Sequence, residues 1–237
     1  MRIVTWNMNV IGKDRSSQHD QAWAFLLETL APDIALLQET AIPPELPTDY
    51  RHSLFTPGLH GKRWGSAILS RVGDLTLEWE DNSRGAVLAA TSSIPGLGPV
   101  SIASLQARVP RGGVIRPLRE TFDLLRTHLG ERFMVGGDFN TARQAHRAWP
   151  QNGHGAFWSD IETWGFKEPL PLGGKEQQSY WGRWLLDQEP SLGNTLQDDH
   201  VLVDADTLQL VRRCLVWDTR RVRELSDHGQ VVLDLAL

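Results

Sequence analysis

A chain of 237 residues in which 41% are hydrophobic and 22% charged can bury about 70% of its unfolded surface, enough for a globular fold without staples. Its single cysteine, Cys214, excludes an internal disulfide framework and a cysteine-rich zinc site, and reads as a small buried apolar residue. With 24 basic against 29 acidic residues, the net charge of −5 gives a polyanion no overall attraction, although a metal site needs local carboxylates and its cation supplies the positive charge.

The opening residues lack the basic-then-apolar design of a signal peptide, and no run approaches the roughly 20 apolar residues of a membrane span. The expectation is one cytoplasmic domain over residues 1–237, with no membrane insertion and no obligate protein partner evident. Residues 2–10 alternate as a strand, with Ile3, Thr5, Asn7 and Asn9 on one face and Val4, Trp6, Met8 and Val10 on an apolar other. Trp23, Leu26, Leu27 and Leu30 keep helical spacing up to Pro32, and residues 34–38 form a short buried strand that delivers Glu39. Strands follow at 66–70, 75–80, 86–91, 100–105 and 133–136, with an amphipathic helix carrying Leu118, Phe122, Leu125 and Leu129 before the last. Phe157, Ile161 and Trp164 predict another helix, residues 173–193 a long loop, and 200–204, 208–217 and 229–235 the closing strands.

Consecutive strands with no room for helical crossovers imply an α/β fold with two mixed, mostly antiparallel sheets packed face to face and helices outside. Five polar clusters sit where apolar strands end: Trp6-Asn7-Met8-Asn9, Gln38-Glu39-Thr40, Gly137-Asp138-Phe139-Asn140, Asp198-Asp199-His200 and Ser226-Asp227-His228-Gly229. Each alone is as readily a turn or a helix cap. As a set they provide carboxylates, amides and an imidazole, which cover the needs of phosphate-ester hydrolysis: oxygen ligands for a hard cation, alignment of water, and donors for developing charge.

The ordered series Trp6-Asn7-Met8-Asn9, Leu37-Gln38-Glu39-Thr40, Gly65-Ser66-Ala67-Ile68-Leu69-Ser70, Gly137-Asp138-Phe139-Asn140 and Ser226-Asp227-His228 resembles the endonuclease/exonuclease/phosphatase superfamily along nearly the whole chain. The resemblance implies a four-layered α/β sandwich and a phosphoesterase dependent on Mg2+, with Mn2+ as the alternative. By the same resemblance Glu39 is the principal metal-binding glutamate, with Asn9 and Asp227 as further metal-site candidates and Asn7 as a ligand or phosphate contact. Asp138 resembles the residue that orients or deprotonates the attacking water, Asn140 the amide that holds water or phosphate, and His228 the histidine on the scissile phosphate. Asp199 resembles the carboxylate that orients that histidine, whereas His200 reads as structural.

Three features depart from the family pattern. Asn9 stands where many members carry aspartate, which favours one metal. The strand before the middle helix offers Ser104 or Gln106 where the family has histidine or tyrosine. Ser179-Tyr180-Trp181 is similar to one aromatic wall of an abasic-sugar pocket, but Leu196-Gln197 replaces the tryptophan of the second wall. Among ten tryptophans, Trp149, Trp158, Trp164, Trp181 and Trp184 serve either packing or base stacking. Arg84, Arg108 and Arg111 flank strand ends and are candidate phosphate contacts. The substrate implied is a phosphoester, DNA in the first reading and a small molecule or lipid headgroup in the second.

Overall fold

A computed structural model describes residues 1–10, 16–50, 52–58, 62–143, 145, 150–170, 178–180 and 197–237. The first sheet contains β1 (Arg2–Asn7), β2 (Ile34–Thr40), β3 (His52–Pro57), β4 (Gly65–Ser70), β10 (Val211–Trp217) and β11 (Gln230–Leu235), in the order β10-β11-β1-β2-β4-β3. The second runs β5 (Leu75–Asp81), β6 (Gly85–Ile94), β7 (Gly98–Ala107), β8 (Phe133–Asp138) and β9 (Asp199–Val203), in sequence order. Only β1–β2 and β7–β8 pair in parallel among these neighbours, and each parallel pair is bridged by helical chain, as a parallel connection requires. The expected mixed sandwich is the fold observed.

The central layer of the core lies between the sheets, where Ile3, Leu36, Ile68 and Leu233 meet Leu88, Ile102, Met134 and Val201. Outside the first sheet, Val4, Trp6 and Leu37 pack on Trp23, Leu26 and Leu30 of α1 (Ser16–Ala24) and the π-helical turn Phe25–Leu30 that continues it. Outside the second, Ala103 and Val135 pack on α2 (Ile115–Leu125) and α3 (His154–Thr163) through Leu118, Phe122 and Phe157. Both faces of β1 are therefore buried, because the strand has a sheet on one side and helices on the other.

Several boundaries differ from the sequence reading. β1 ends at Asn7 because Asn9 turns into the left-handed region, with φ 47°. The π winding, seen in the Ala31 N–H bond to Leu26 O (2.9 Å), shifts Leu27 off the buried stripe that α-helical spacing predicts. Asp204 does not extend β9; its carboxylate caps the short α4 (Ala205–Gln209), which takes Leu208 out of the expected strand. The edge strand β3 and α5 (Arg220–Leu225) were not apparent from the sequence. Cys214 is buried in β10, where burial holds its thiol protonated. Among the described residues, no helix is long and apolar enough to cross a membrane.

Candidate active site

The parallel pairings bring strand ends together at one edge of the sandwich. In the second sheet Gln106 lies beside Asp138, and Asp138 beside Asp199; in the first, Asn7 lies beside Gln38. Glu39 occupies a register shift between Leu37 and Thr40, and its φ of 45° turns it out of the regular pleat. Asn9, Glu39 and Asn140 all have left-handed φ, and Ala31 at a helix end is the other non-glycine case among the described residues. Backbone strain is thus concentrated at the site, where it redirects side chains that an ordinary strand would bury.

Asp138 is buried and held from both sheets. Its Oδ2 accepts the Asn7 amide at 2.9 Å, while its Oδ1 accepts the backbone N–H of Asn140 at 3.0 Å. Asn140 is fixed in turn by donating its side-chain amide to Ala107 O at 3.1 Å. Phe139, between them, is fully buried against Phe122, with ring centroids 5.4 Å apart, and anchors the motif to the helical layer.

His228 meets Asp199 through Nδ1, at 2.9 Å from Oδ2. A carboxylate acceptor there places a proton on Nδ1 and keeps Nε2 out of that hydrogen bond. The loop carrying His228 is stapled to β1: Trp6 donates to His228 O at 3.1 Å, Ser226 to Asn7 O at 2.8 Å, and His228 N–H to Ser226 Oγ at 3.1 Å. Tyr180 bridges to His228 through the backbone and packs its ring 4.7 Å away at 45°. Burial and the surrounding carboxylates of Asp227 and Asp198 push the Tyr180 phenol up to about 12, so it remains a neutral donor.

The electrostatics fit a cation. Loss of water contact, with Asp138 close by, raises Glu39 to about 7; burial, Asp138 and Asp199 raise Asp198 to about 7. Asp138 also titrates above its ordinary range, through burial and the Asp199 charge, against the pull of His228. Burial opposes charge on His228, yet Asp199, Asp138 and Asp227 outweigh it and raise its pKa well above the usual value. Several carboxylates sharing one imidazolium leave negative charge that a divalent ion relieves. Glu39 accepts a hydrogen bond from Gln106, and Asp227 accepts one from Asn9, which keeps these oxygen-bearing side chains oriented. Ligand atoms of Asp138, Asp199 and His228 lie within 4.8 Å of one another, but the His228–Asp199 hydrogen bond fits a relay better than a ligand shell.

The remaining candidates separate. Arg108 lines a cavity of about 250 Å3 together with Glu39 and Asn140, and has no ion-pair partner among the described residues. Arg84 is engaged by Asp81 (2.9 Å) and Glu120 (3.5 Å). Arg111 lines a different groove, with Arg116 and Arg119. Trp181, with Trp149, Trp184, Leu196 and the 173–177 and 181–193 portions of the expected loop, lies outside the described residues. Trp158 is core, stacked near Phe139 and His200, and Trp164 is partly buried beside Arg126.

Of the two residues in place of the family's histidine or tyrosine, Ser104 is buried below the site. It donates to Leu37 O and accepts from Gln38, both at 2.9 Å. Gln106 is the one that reaches the centre, through Glu39. His200 faces the helical layer, between Glu168 Oε1 (2.6 Å) and Thr141 O (2.8 Å). Asp198, which the sequence reading named only within its Asp198-Asp199-His200 cluster, and Trp64, which it did not name, also border the site; a tryptophan just before a glycine-led strand was the available signal for the latter.

The sequence matches the profile of the Endonuclease/Exonuclease/phosphatase family over residues 4–228. No curated protein matches it. Among solved structures, the chain is similar to a 3′ phosphatase, NExo, from Neisseria bound to a product DNA hairpin, at 20% identity and a TM-score of 0.70 over the whole of both chains. It is also similar to an AP endonuclease from Archaeoglobus fulgidus, at 19% identity and a TM-score of 0.68 over the whole of both chains. An endonuclease/exonuclease/phosphatase from Beutenbergia cavernae gives 18% identity and a TM-score of 0.69, covering all of this chain and 71% of that one. With a family profile spanning nearly its full length, the chain belongs to the endonuclease/exonuclease/phosphatase family of metal-dependent phosphoester hydrolases.

Proposed function

We propose that the protein hydrolyses phosphodiester bonds in DNA. The observation that carries this reading is the convergence of Glu39, Asp138, Asn140 and the Asp199–His228 pair at one edge of the sandwich, assembled from both sheets. DNA is favoured by the similar folds of the Neisseria 3′ phosphatase and the Archaeoglobus AP endonuclease, and by Arg108, which lines one cavity with Glu39 and has no ion-pair partner among the described residues. A cytoplasmic location accords with a sequence whose single cysteine, Cys214, calls for no oxidising compartment.

Glu39, with Asp227 and Asn9 alongside, would hold Mg2+ or Mn2+, and the bound cation supplies neutralisation of charge on the phosphate and leaving oxygen. Asp138, with one oxygen fixed by Asn7 and the other by Asn140 N–H, orients the attacking water and accepts its proton; its raised pKa suits a base working near neutrality. Asn140 orients the same water or a phosphate oxygen. His228, held by Asp199, donates from Nε2 to a non-bridging phosphate oxygen as negative charge grows.

A small phosphoester or a lipid headgroup is the second reading, favoured by the net charge of −5 and by the neutralisation of Arg84 by Asp81 and Glu120. Cleavage assays in Mg2+ on duplex DNA with one abasic site, intact duplex, single-stranded DNA, and chromogenic diester and monoester substrates separate the two, with Asp138→Ala as control. DNA cleavage lost in Asp138→Ala supports the nuclease. Turnover of the small esters alone overturns it in favour of the second reading.

A further inference from the structure

Glu39 and Asn140 also line a cavity to which Tyr180 does not contribute. Its floor comes from the paired ends of β6 and β7, where Gly85 lies opposite Ala107 and Ala86 opposite Gln106. These positions are small for a structural reason at Gly85, whose absent Cβ would sit 2.1 Å from Gln106 O. Small side chains there leave open space beside the catalytic carboxylate. The walls are Trp64 and Val109, and Val109, 60% exposed, is the most exposed large apolar side chain among the described residues. Gly58 approaches the Trp64 ring so closely that a Cβ would lie 3.0 Å from it, and the two residues are tied by Gly58 N–H to Trp64 O at 2.8 Å. The indole therefore packs against the Gly58 backbone and forms one side of the wall.

At about 250 Å3 the cavity falls below the roughly 300–1,000 Å3 typical of a site for a whole drug-sized ligand, which limits its occupant to a single ring-sized group. Because Glu39 and Asn140 belong both to this cavity and to the catalytic centre, that group must be attached to the reacting phosphate within about one sugar unit. The aromatic face and apolar rim favour a flat, weakly polar ring, while Arg108 at the rim and the Lys62 ammonium, 4.6 Å over the Trp64 ring centroid, favour an anionic backbone running past it. We propose that this cavity is a nucleobase subsite, in which Trp64 and Val109 receive the base of the nucleotide that carries the scissile phosphate. The inference rests on the nuclease reading of the centre and specifies the substrate group next to the cut. The amides in its lining are already engaged, Gln106 donating to Glu39 and Asn140 to Ala107 O, so recognition falls to the indole face and the apolar rim, and the subsite accepts purines and pyrimidines alike.

The test is a pair of affinities measured in Mg2+ by titration calorimetry: thymidine 5′-monophosphate against 2-deoxyribose 5-phosphate, which differ only in the base. Wild type is expected to prefer the nucleotide by about tenfold or more, the range expected when a base stacks on an aromatic side chain. Trp64→Ala should reduce that ratio towards one, Trp64→Phe should retain part of it, and Val109→Glu should lower it from the rim. The ratio cancels any general loss of phosphate affinity in a variant. A wild-type ratio near one, or an undiminished ratio in Trp64→Ala and Val109→Glu, overturns the subsite. Affinity is read without turnover, so a protein that discriminates the base yet cleaves no nucleic acid would retain the subsite and lose the nuclease assignment. DNA cleavage with no base discrimination would do the reverse.

Discussion

Asn7 at the end of β1 donates its side-chain amide to Asp138 Oδ2 at the end of β8, 2.9 Å away on the facing sheet. This contact joins the two halves of the centre at the residue proposed to receive the proton from water. Asn7→Ala removes one of the two hydrogen bonds that orient the Asp138 carboxylate and is expected to lower kcat more than it raises KM.

His228→Ala removes the imidazole proposed to donate to the developing charge. His228→Ala is expected to lower kcat by about 10²–10³, the usual scale for one such donor, without unfolding the protein. Turnover of a chromogenic diester and a thermal melt followed by circular dichroism check this; a folded variant with near wild-type turnover would remove His228 from the mechanism. Asp199→Asn should preserve the fold and impair turnover by the same route, because a neutral amide no longer stabilises the imidazolium that donates from both ring nitrogens.

Metal binding and protonation compete at Glu39. Its carboxyl titrates at about 7 in the metal-free fold against about 4.5 for an ordinary glutamate, so across that interval the folded state binds more protons than the unfolded chain. Stability from this group therefore falls as pH rises through the interval. Mg2+ should raise Tm more at pH 8, where the site is ionised, than at pH 5, where protons occupy it, and Glu39→Gln should remove most of the difference. Equal Mg2+ shifts at both pH values would exclude Glu39 as a ligand.

Glu168 and His200 form a buried ion pair beneath the loop that bears Asn140, and half-buried Arg143 joins it from outside through Glu168. Burial opposes charge on His200, but Glu168 and the Thr141 carbonyl outweigh it and raise its pKa; burial likewise opposes charge on Glu168, but His200 and Arg143 lower its pKa. The His200 contribution is complete below its unfolded value and is lost as pH climbs through the raised one. The Glu168 contribution is present above its unfolded value and is lost as pH falls through the lowered one. Glu168→Gln should cost about 3–5 kcal/mol in urea unfolding at pH 6, as expected when one partner of a buried pair is removed, and should shift the alkaline loss of stability to lower pH.

Gly137 precedes the proposed base, and a Cβ there would sit 1.8 Å from Leu105 O on the adjacent strand. Backbone cannot yield as a rotamer can, so Gly137→Ala is expected to destabilise by about 1–3 kcal/mol and to reduce activity through displacement of Asp138. Gly112→Ala, with nothing within 4 Å, should change stability by less than about 0.5 kcal/mol in the same chemical denaturation experiment.

Strand ends and chemistry were legible together in the sequence because each polar cluster follows an apolar run. Ile34 to Leu37 then Glu39, and Phe133 to Val135 then Asp138, are read directly as a buried apolar strand followed by a polar candidate residue. Elements whose pattern is set by tertiary contacts were not. β3 has a largely half-buried face at a sheet edge, and α5 is six residues long, too short for a period to emerge. The π turn at Phe25–Leu30 retains the spacing of a helix while changing its winding. At the site, neither the approach of Gln106 to Glu39 nor the depth of Ser104 follows from residue type, since both depend on which face of β7 meets the other sheet. The pairing of Arg84 with Asp81 and Glu120 is likewise a three-dimensional fact that a basic residue near a strand end does not disclose.

The centre has no existence within either sheet taken alone: Asn7, Glu39 and His228 come with one, Gln106, Asp138 and Asp199 with the other. Catalysis is consequently a gauge of how the halves dock. A compact state that kept its strands but loosened the seam would retain its far-ultraviolet signal and lose turnover, so mild denaturant should abolish activity ahead of secondary structure, and a ligand gripping both rims would act as a clasp on the whole fold.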